Sequence, residues 1–326
     1  MVCYINTRLL IISDTHAADI PDNLKATAAV DVAIHCGDLT EESKICEFRT
    51  TLDLLKASSA PLKIVIAGNH DWTLDLPTFR RKVKEAGLES DPALVAREYG
   101  EYGEVRKLFD EARDTHNIHL LDEGSHRFTL ANGAQLTVYA SPFTPSVDAD
   151  WGFQYRLGDG HTWGARRVAW RENISPDSTP THFTAIDNGK SSTIDSLQSY
   201  RRGKFDDDDA ANDKAARLAQ LNDNGYQHAN LVAQNGKDEC GTKTLFVNAA
   251  IQGDDSIPFH VPWVVNVPLR KAVYNKYRMP KPVPVSAVLR AALEECYEAV
   301  VNLIAPEHQD EAILVGGAAS LFHGSS

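Results

Sequence analysis

Three apolar, mostly β-branched runs, 9–12, 30–34 and 64–67, each break directly into a short polar cluster: Asp14-Thr15-His16, Gly37-Asp38 and Gly68-Asn69-His70-Asp71. Short runs without polar alternation mark strands covered on both faces, as in a parallel sheet. All three polar clusters then fall at the C-terminal ends of strands. In open α/β sheets ligands bind outside that edge, so three loops can bring Asp, His, Asp, Asn and His to one point. Carboxylate and amide oxygens mixed with imidazole nitrogen suit a divalent ion such as Mn, Fe or Zn. A single Asp or Asn after a strand is as readily a turn former or helix cap; the threefold repeat is what points to a site.

Alternating strand and helix continue to about residue 170. The stretch 44–56 carries an approximate apolar helical face, and 105–113 a shorter one, whereas Gly87 and Pro92 interrupt 83–97. Residues 118–121, 126–130 and 135–140 read as strands, the last two joined at Asn132-Gly133, a strong hairpin signal. Hairpins beside parallel strands suggest a second sheet, so the expected fold is α/β, a two-sheet β-sandwich flanked by helices.

From 172 to 242 the chain turns polar, and we read it as a solvated, disordered insertion. The run Asp206 to Asp209 lacks the alternating ligands and glycine of an EF-hand loop. Strands are expected again at 244–250 and 261–267, closing a main domain over 1–270. A Pro-rich linker, 271–284, leads to a tail, 285–326: an amphipathic helix, a strand at 312–315, Gly316-Gly317 and a small-residue helix from 318. That tail resembles the opening of a nucleotidyltransferase-like domain without its metal-binding carboxylates, and the simpler expectation is an appendage to the main domain.

With 45 acidic against 33 basic side chains the net charge is −12, and no Lys/Arg stripe interleaves with aromatics, so a nucleic-acid-coating surface is not expected. A metal in a cleft would reverse the field locally and still admit a phosphate ester. Five scattered cysteines, none in a C-x-x-C pair, read as reduced thiols. No apolar run nears the roughly 20 residues of a membrane-spanning helix, so the expectation is a cytoplasmic protein with no membrane partner.

Asp-x-His, Gly-Asp and Gly-Asn-His-Asp at these intervals resemble the calcineurin-like metallophosphoesterase superfamily. Flanking text, Ile64-Val65-Ile66-Ala67-Gly68-Asn69-His70, Ser141-Pro142-Phe143-Thr144-Pro145, Trp151-Gly152-Phe153 and Phe246-Val247-Asn248-Ala249, looks like its metallophosphoesterase-domain-containing branch, in particular fungal members. The similarity spans about residues 8–270. It implies an αββα sandwich with Asp14 and His16 on a first metal, Asp38 bridging two metals, Asn69 on the second, and His70 as the catalytic imidazole. Asp71 would orient the His70 ring.

The resemblance also implies motifs that are missing here: a Thr-His or Gly-His loop followed by Gly-Pro-Pro, and a later Gly-His-x-His. Relatives hold both in a segment that would lie between Trp151-Gly152-Phe153 and Gly164-Ala165-Arg166, so part of the C-terminal half is absent. His161 is the best-placed substitute, while His182, His228, His260 and His35 are expected to be surface or core residues. Asp14, His16 and Asp38 with water suffice for one metal, but the second keeps only Asp38 and Asn69. The expectation is a metal-dependent phosphoesterase acting on a small phosphorylated substrate or nucleotide, weakened by the missing histidines. The alternatives are an inactive, metallophosphoesterase-like binding protein, or a reading frame incompletely assembled around Trp163-Gly164.

Overall fold

The computed structural model describes residues 3–21, 29–146, 150–156, 193–196, 199–231, 244–254, 257–272, 312–315 and 318–322. Its strands are β1 (Tyr4–Ile12), β2 (Val32–His35), β3 (Leu62–Val65), β4 (Ile118–Leu120), β5 (Gly124–Thr129), β6 (Gln135–Ser141), β7 (Thr144–Pro145), β8 (Gln154–Tyr155), β9 (Gln227–Asn230), β10 (Thr244–Val247), β11 (Gln252–Asp254), β12 (Ile257–Phe259), β13 (Trp263–Arg270), β14 (Ala312–Val315) and β15 (Ala318–Phe322). The α-helices are α1 (Ile45–Ala57), α2 (Leu76–Glu85), α3 (Pro92–Tyr99), α4 (Glu104–His116) and α5 (Asp208–Asn224).

Two sheets dominate, ordered β4-β3-β2-β1-β13-β9 and β10-β15-β14-β6-β5. In the first, β1 to β4 run parallel, so β1, β2 and β3 deliver their C-terminal ends to one edge. Strands β2 and β3, both inside the sheet, are buried at every position, in keeping with their largely apolar sequences. Even Lys63 is buried; its stem lies in the sheet while its ammonium donates to the Ala60 carbonyl at 2.9 Å.

The pleat divides this sheet into two faces. Leu9, Ile11, Ile34 and Ile64 share one core with Leu136, Val138, Leu245 and Val247 of the second sheet, which makes the pair a sandwich. Leu10, Ala33 and Val65 face the other way, onto Phe48 and Leu52 of α1 and Val105 and Phe109 of α4. The mixed α/β architecture expected from the sequence is therefore present. Among the described residues the α-helices that contribute to these cores are α1, α4 and, through Leu221, α5.

Two expectations need correction. The interval 172–242 is not uniformly a disordered insertion, because it contains α5 and β9, and β9 extends the first sheet in parallel with β13. The acidic run that suggested a solvated loop is the start of α5: Asp207 caps it by accepting from Ala210 N at 2.8 Å. Asp208 and Asp209 occupy its first turn, where the helix dipole favours negative charge, and the alanines that follow propagate it.

In the tail, residues 318–322 form strand β15 rather than a helix. It pairs with β14 and β10, and β14 pairs in parallel with β6, so the described part of 285–326 completes the second sheet instead of opening a separate domain. Ladder hydrogen bonds to β10 and β14 outweigh the weak helical preference of so short a segment. Residues 273–284 of the expected linker and the amphipathic helix lie outside the described residues.

Candidate metal centre

The first two loops have left-handed backbone where their functional residues sit: φ is 53° at Asp14, 47° at His16 and 51° at Asp38, with Gly37 at 102°. Asp and His enter this region more readily than most residues, but it remains costly and must be held by surrounding bonds. Three such bonds zip loop to loop. Asp14 N donates to Gly37 O at 3.0 Å, His16 N to Asp38 O at 3.1 Å, and Ala17 N to Leu39 O at 2.9 Å. On its other side the first loop is held by Ser13 N to Ala249 O at 2.8 Å and Gln252 N to Asp14 O at 3.1 Å.

Asp71 locks the third loop to the second. Its Oδ1 accepts from Leu39 N, Thr40 N and the Thr40 hydroxyl at 3.0, 3.0 and 2.8 Å, and its Oδ2 from Gly68 N at 2.8 Å. This corrects the role expected of Asp71, because the carboxylate is spent on backbone and the His70 Nδ1 bonds elsewhere. Burial, with the charge of Asp38 added, pushes the Asp71 carboxyl up to about 7 against the pull of these donors. Closing the same contact, the Asp38 Oδ1 accepts from His70 N at 3.0 Å. Gly68 permits this approach, since a Cβ there would lie 2.2 Å from Asp38 Oδ1.

Within this frame Asp14, His16 and Asp38 each bring a ligand atom within 4.8 Å of the others. Asp14 Oδ2 is buried without a hydrogen-bond partner, an orphan acceptor facing a group of opposite need only if a cation is present. Burial raises the Asp14 carboxyl above the ordinary range, and the nearby Asp38 adds to that shift. Two carboxylates brought together without a counter-charge fit a divalent cation.

The imidazoles agree with that reading. His16 Nδ1 lies 3.0 Å from the Thr40 carbonyl, which only accepts, so Nδ1 carries the proton and Nε2 keeps its lone pair for a ligand. The Glu41 carboxylate also reaches His16 Nδ1, at 2.9 Å. His70 Nδ1 likewise donates to the Glu41 carbonyl at 2.7 Å, which leaves its Nε2 for chemistry. The two rings meet edge-on with centroids 4.6 Å apart, and Trp151 stacks on His70 at 4.5 Å.

Asn69 shares the third loop, and its backbone carbonyl accepts from Gly152 N at 3.0 Å. His35 is a fully buried core residue with Nε2 on Thr15 Oγ1 at 2.8 Å; burial pushes its pKa down to about 3. His228 is exposed at the edge strand β9 and its ring bonds Asn266, whereas His260 is half-buried and its backbone N–H donates to Ile251 O. His161 and His182 lie outside the described residues.

Glu41 and Trp151 are the site residues that sequence reasoning missed. Glu41 offered one usable signal, its position three residues after Asp38 in the same loop. Its carboxylate stands behind His16, and where a histidine ligates a metal the loss of such a support weakens metal binding about 10–100-fold. Because Glu41 is 54% exposed and the Thr40 carbonyl remains, Glu41→Ala is expected at the low end, roughly tenfold. Calorimetric titration of both proteins with Mn²⁺ checks this; an unchanged affinity would show that the Thr40 carbonyl alone orients His16.

Residues 7–151 match the family model described as calcineurin-like phosphoesterase. Metallophosphoesterase domain-containing protein 1 of Homo sapiens is 30% identical over 152 residues, which is 47% of this chain and 42% of that protein; the Mus musculus protein matches equally. A protein of Emericella nidulans named probable rhamnogalacturonate lyase C is 31% identical over 159 residues, 48% of this chain and 12% of its own length. The chain thus spans less than half the length of each of these relatives. No helix of the described residues is long and apolar enough to cross a membrane.

Proposed function

We propose that residues 7–151, which match the calcineurin-like phosphoesterase model, form a domain of that divalent-metal-binding family and that the chain hydrolyses a phosphate mono- or diester. The observation that carries the proposal is the buried, unpartnered Asp14 Oδ2 grouped with Asp38 and His16. These three residues would hold one divalent ion, Mn, Fe or Zn, and water would complete its coordination. When bound, such an ion lowers the pKa of water and offsets charge on a phosphoryl oxygen.

The protein's own groups do the rest. Asp38 commits one oxygen to the His70 amide and so fixes where its other oxygen lies. His70, with its Nδ1–H tied to the Glu41 carbonyl, leaves Nε2 free; as the doubly protonated imidazolium it would carry at Nε2 the proton handed to the leaving oxygen, ending as the neutral ring. A second ion would draw on Asp38 and Asn69, and two protein ligands are too few for tight binding without the substrate's own phosphate. A net charge of −12 without a basic stripe favours a small phosphorylated compound or nucleotide over a nucleic-acid duplex. Buried, unpaired Cys36 and exposed Cys3 and Cys46 support a reducing compartment, the cytoplasm.

The test is hydrolysis of bis-p-nitrophenyl phosphate by the purified chain with Mn²⁺. Turnover that is lost in Asp38→Ala is the expected result. Metal binding without turnover above background would overturn the hydrolytic reading and leave a metal-binding, non-catalytic descendant.

A further inference from the structure

We infer that Trp151 is a positioning residue for His70, an aromatic buttress contributed by a loop far along the chain. This rests on the hydrolytic reading for its consequence in turnover, but its geometry stands by itself. The indole and imidazole planes are 28° apart with centroids at 4.5 Å, a stacked pair in which Trp151 is 39% exposed. A histidine on a loop tip with one ring hydrogen bond can still swing about that bond. Here Nδ1 is held by Glu41 O, His16 abuts edge-on, and Trp151 covers a face, so the plane that aims Nε2 is fixed from three directions.

The buttress is itself tied down. Gly152 N donates to Asn69 O at 3.0 Å, joining the residue after Trp151 to the residue before His70. Phe153 N donates to Asp75 Oδ2 at 2.9 Å, Trp151 N to Gln154 Oε1 at 3.1 Å, and Arg81 Nη2 to Asp150 O at 3.0 Å. A Cβ at Gly152 would come within 2.7 Å of Trp72 Cα, so glycine is what lets this loop close against the turn that follows His70. The Lys82 ammonium lies 4.8 Å from the Trp151 ring centroid and holds the indole by a cation–π contact. An exposed tryptophan serving no purpose would not need five separate restraints around it.

The test uses the whole chain with Trp151→Ala, the conservative Trp151→Phe, and Lys82→Met. The first readout is the long-range proton–nitrogen NMR spectrum of the imidazoles, with His70 assigned by His70→Gln, and it requires no turnover. Trp151→Ala should broaden the His70 ring signals and erase its protected Nδ1–H, while Trp151→Phe keeps both and Lys82→Met falls between. The second is Mn²⁺-supported hydrolysis of bis-p-nitrophenyl phosphate: kcat should fall roughly 10–100-fold in Trp151→Ala with KM and Mn²⁺ affinity unchanged, and recover most of the way in Trp151→Phe. Unchanged His70 signals in Trp151→Ala would overturn the inference. A wild-type chain with no turnover but with the stated signal changes would defeat the hydrolytic reading and uphold the placement of His70 by Trp151.

Discussion

Replacing Asp71 by alanine is expected to cost about 3–5 kcal/mol of stability and to abolish metal binding in the same step. Asp71 is fully buried, and both of its oxygens accept: Leu39 N, Thr40 N, the Thr40 hydroxyl and Gly68 N all point at it. Truncation strands these donors, each worth about 1–3 kcal/mol when left unsatisfied, although water entering the vacated space recovers part of the sum. The same bonds hold the second and third loops together, so Asp38 and His70 lose their common frame. Asparagine does not repair the site, because its amide NH₂ would face a donor. A denaturant titration should show a lower midpoint with an unchanged slope, and a chain that retains wild-type stability would show that the loops are held by other contacts.

Alanine at Gly68 should act more locally and on the ligand set itself. Its Cβ would sit 2.2 Å from Asp38 Oδ1 and 2.3 Å from Asp38 N, closer than side-chain atoms approach one another. Gly68 cannot retreat without breaking its bond to Asp71, so Asp38 must move. Overpacking of this kind costs about 1–3 kcal/mol. If that strain falls on the ligand carboxylate, Mn²⁺ binding weakens about 10–100-fold at 1.4 kcal/mol per decade. Gly87→Ala is the control: φ is 68° there but open space surrounds the Cβ, so a modest loss of stability with unaltered metal affinity is expected. Equal Mn²⁺ affinity in Gly68→Ala and wild type would refute the close approach of the two loops.

What could be read in advance followed from how strongly each feature is dictated locally. Strands β1 to β3 are legible because a strand covered on both faces leaves a short, mainly apolar run, and the loops behind them because Asp, His and Asn cluster where such runs stop. Adjacency in sequence suggests Asp71 as a partner for His70, whereas consecutive side chains in a turn diverge and its carboxylate is drawn to the backbone donors of the neighbouring loop. Glu41 is an exposed polar residue in a polar loop, and nothing periodic marks it. Trp151 reaches His70 only through the tertiary fold, and no short-range pattern encodes that contact. Helix α5 was hidden by reading four consecutive aspartates as solvated rather than as a cap and first turn. Strand β15 was hidden because its hydrogen-bond partners, β10 and β14, are not implied by its own residues.

The central claim, that Asp14, His16 and Asp38 form one divalent metal site, is tested most directly by calorimetric titration of the metal-stripped chain with Mn²⁺. Wild type should bind one equivalent saturably, and Asp14→Asn, which keeps shape but removes the orphaned negative charge, should weaken or lose that binding while retaining the fold by circular dichroism. Absence of binding in the folded wild type, or the same affinity in wild type, Asp14→Asn and Asp38→Ala, would contradict it.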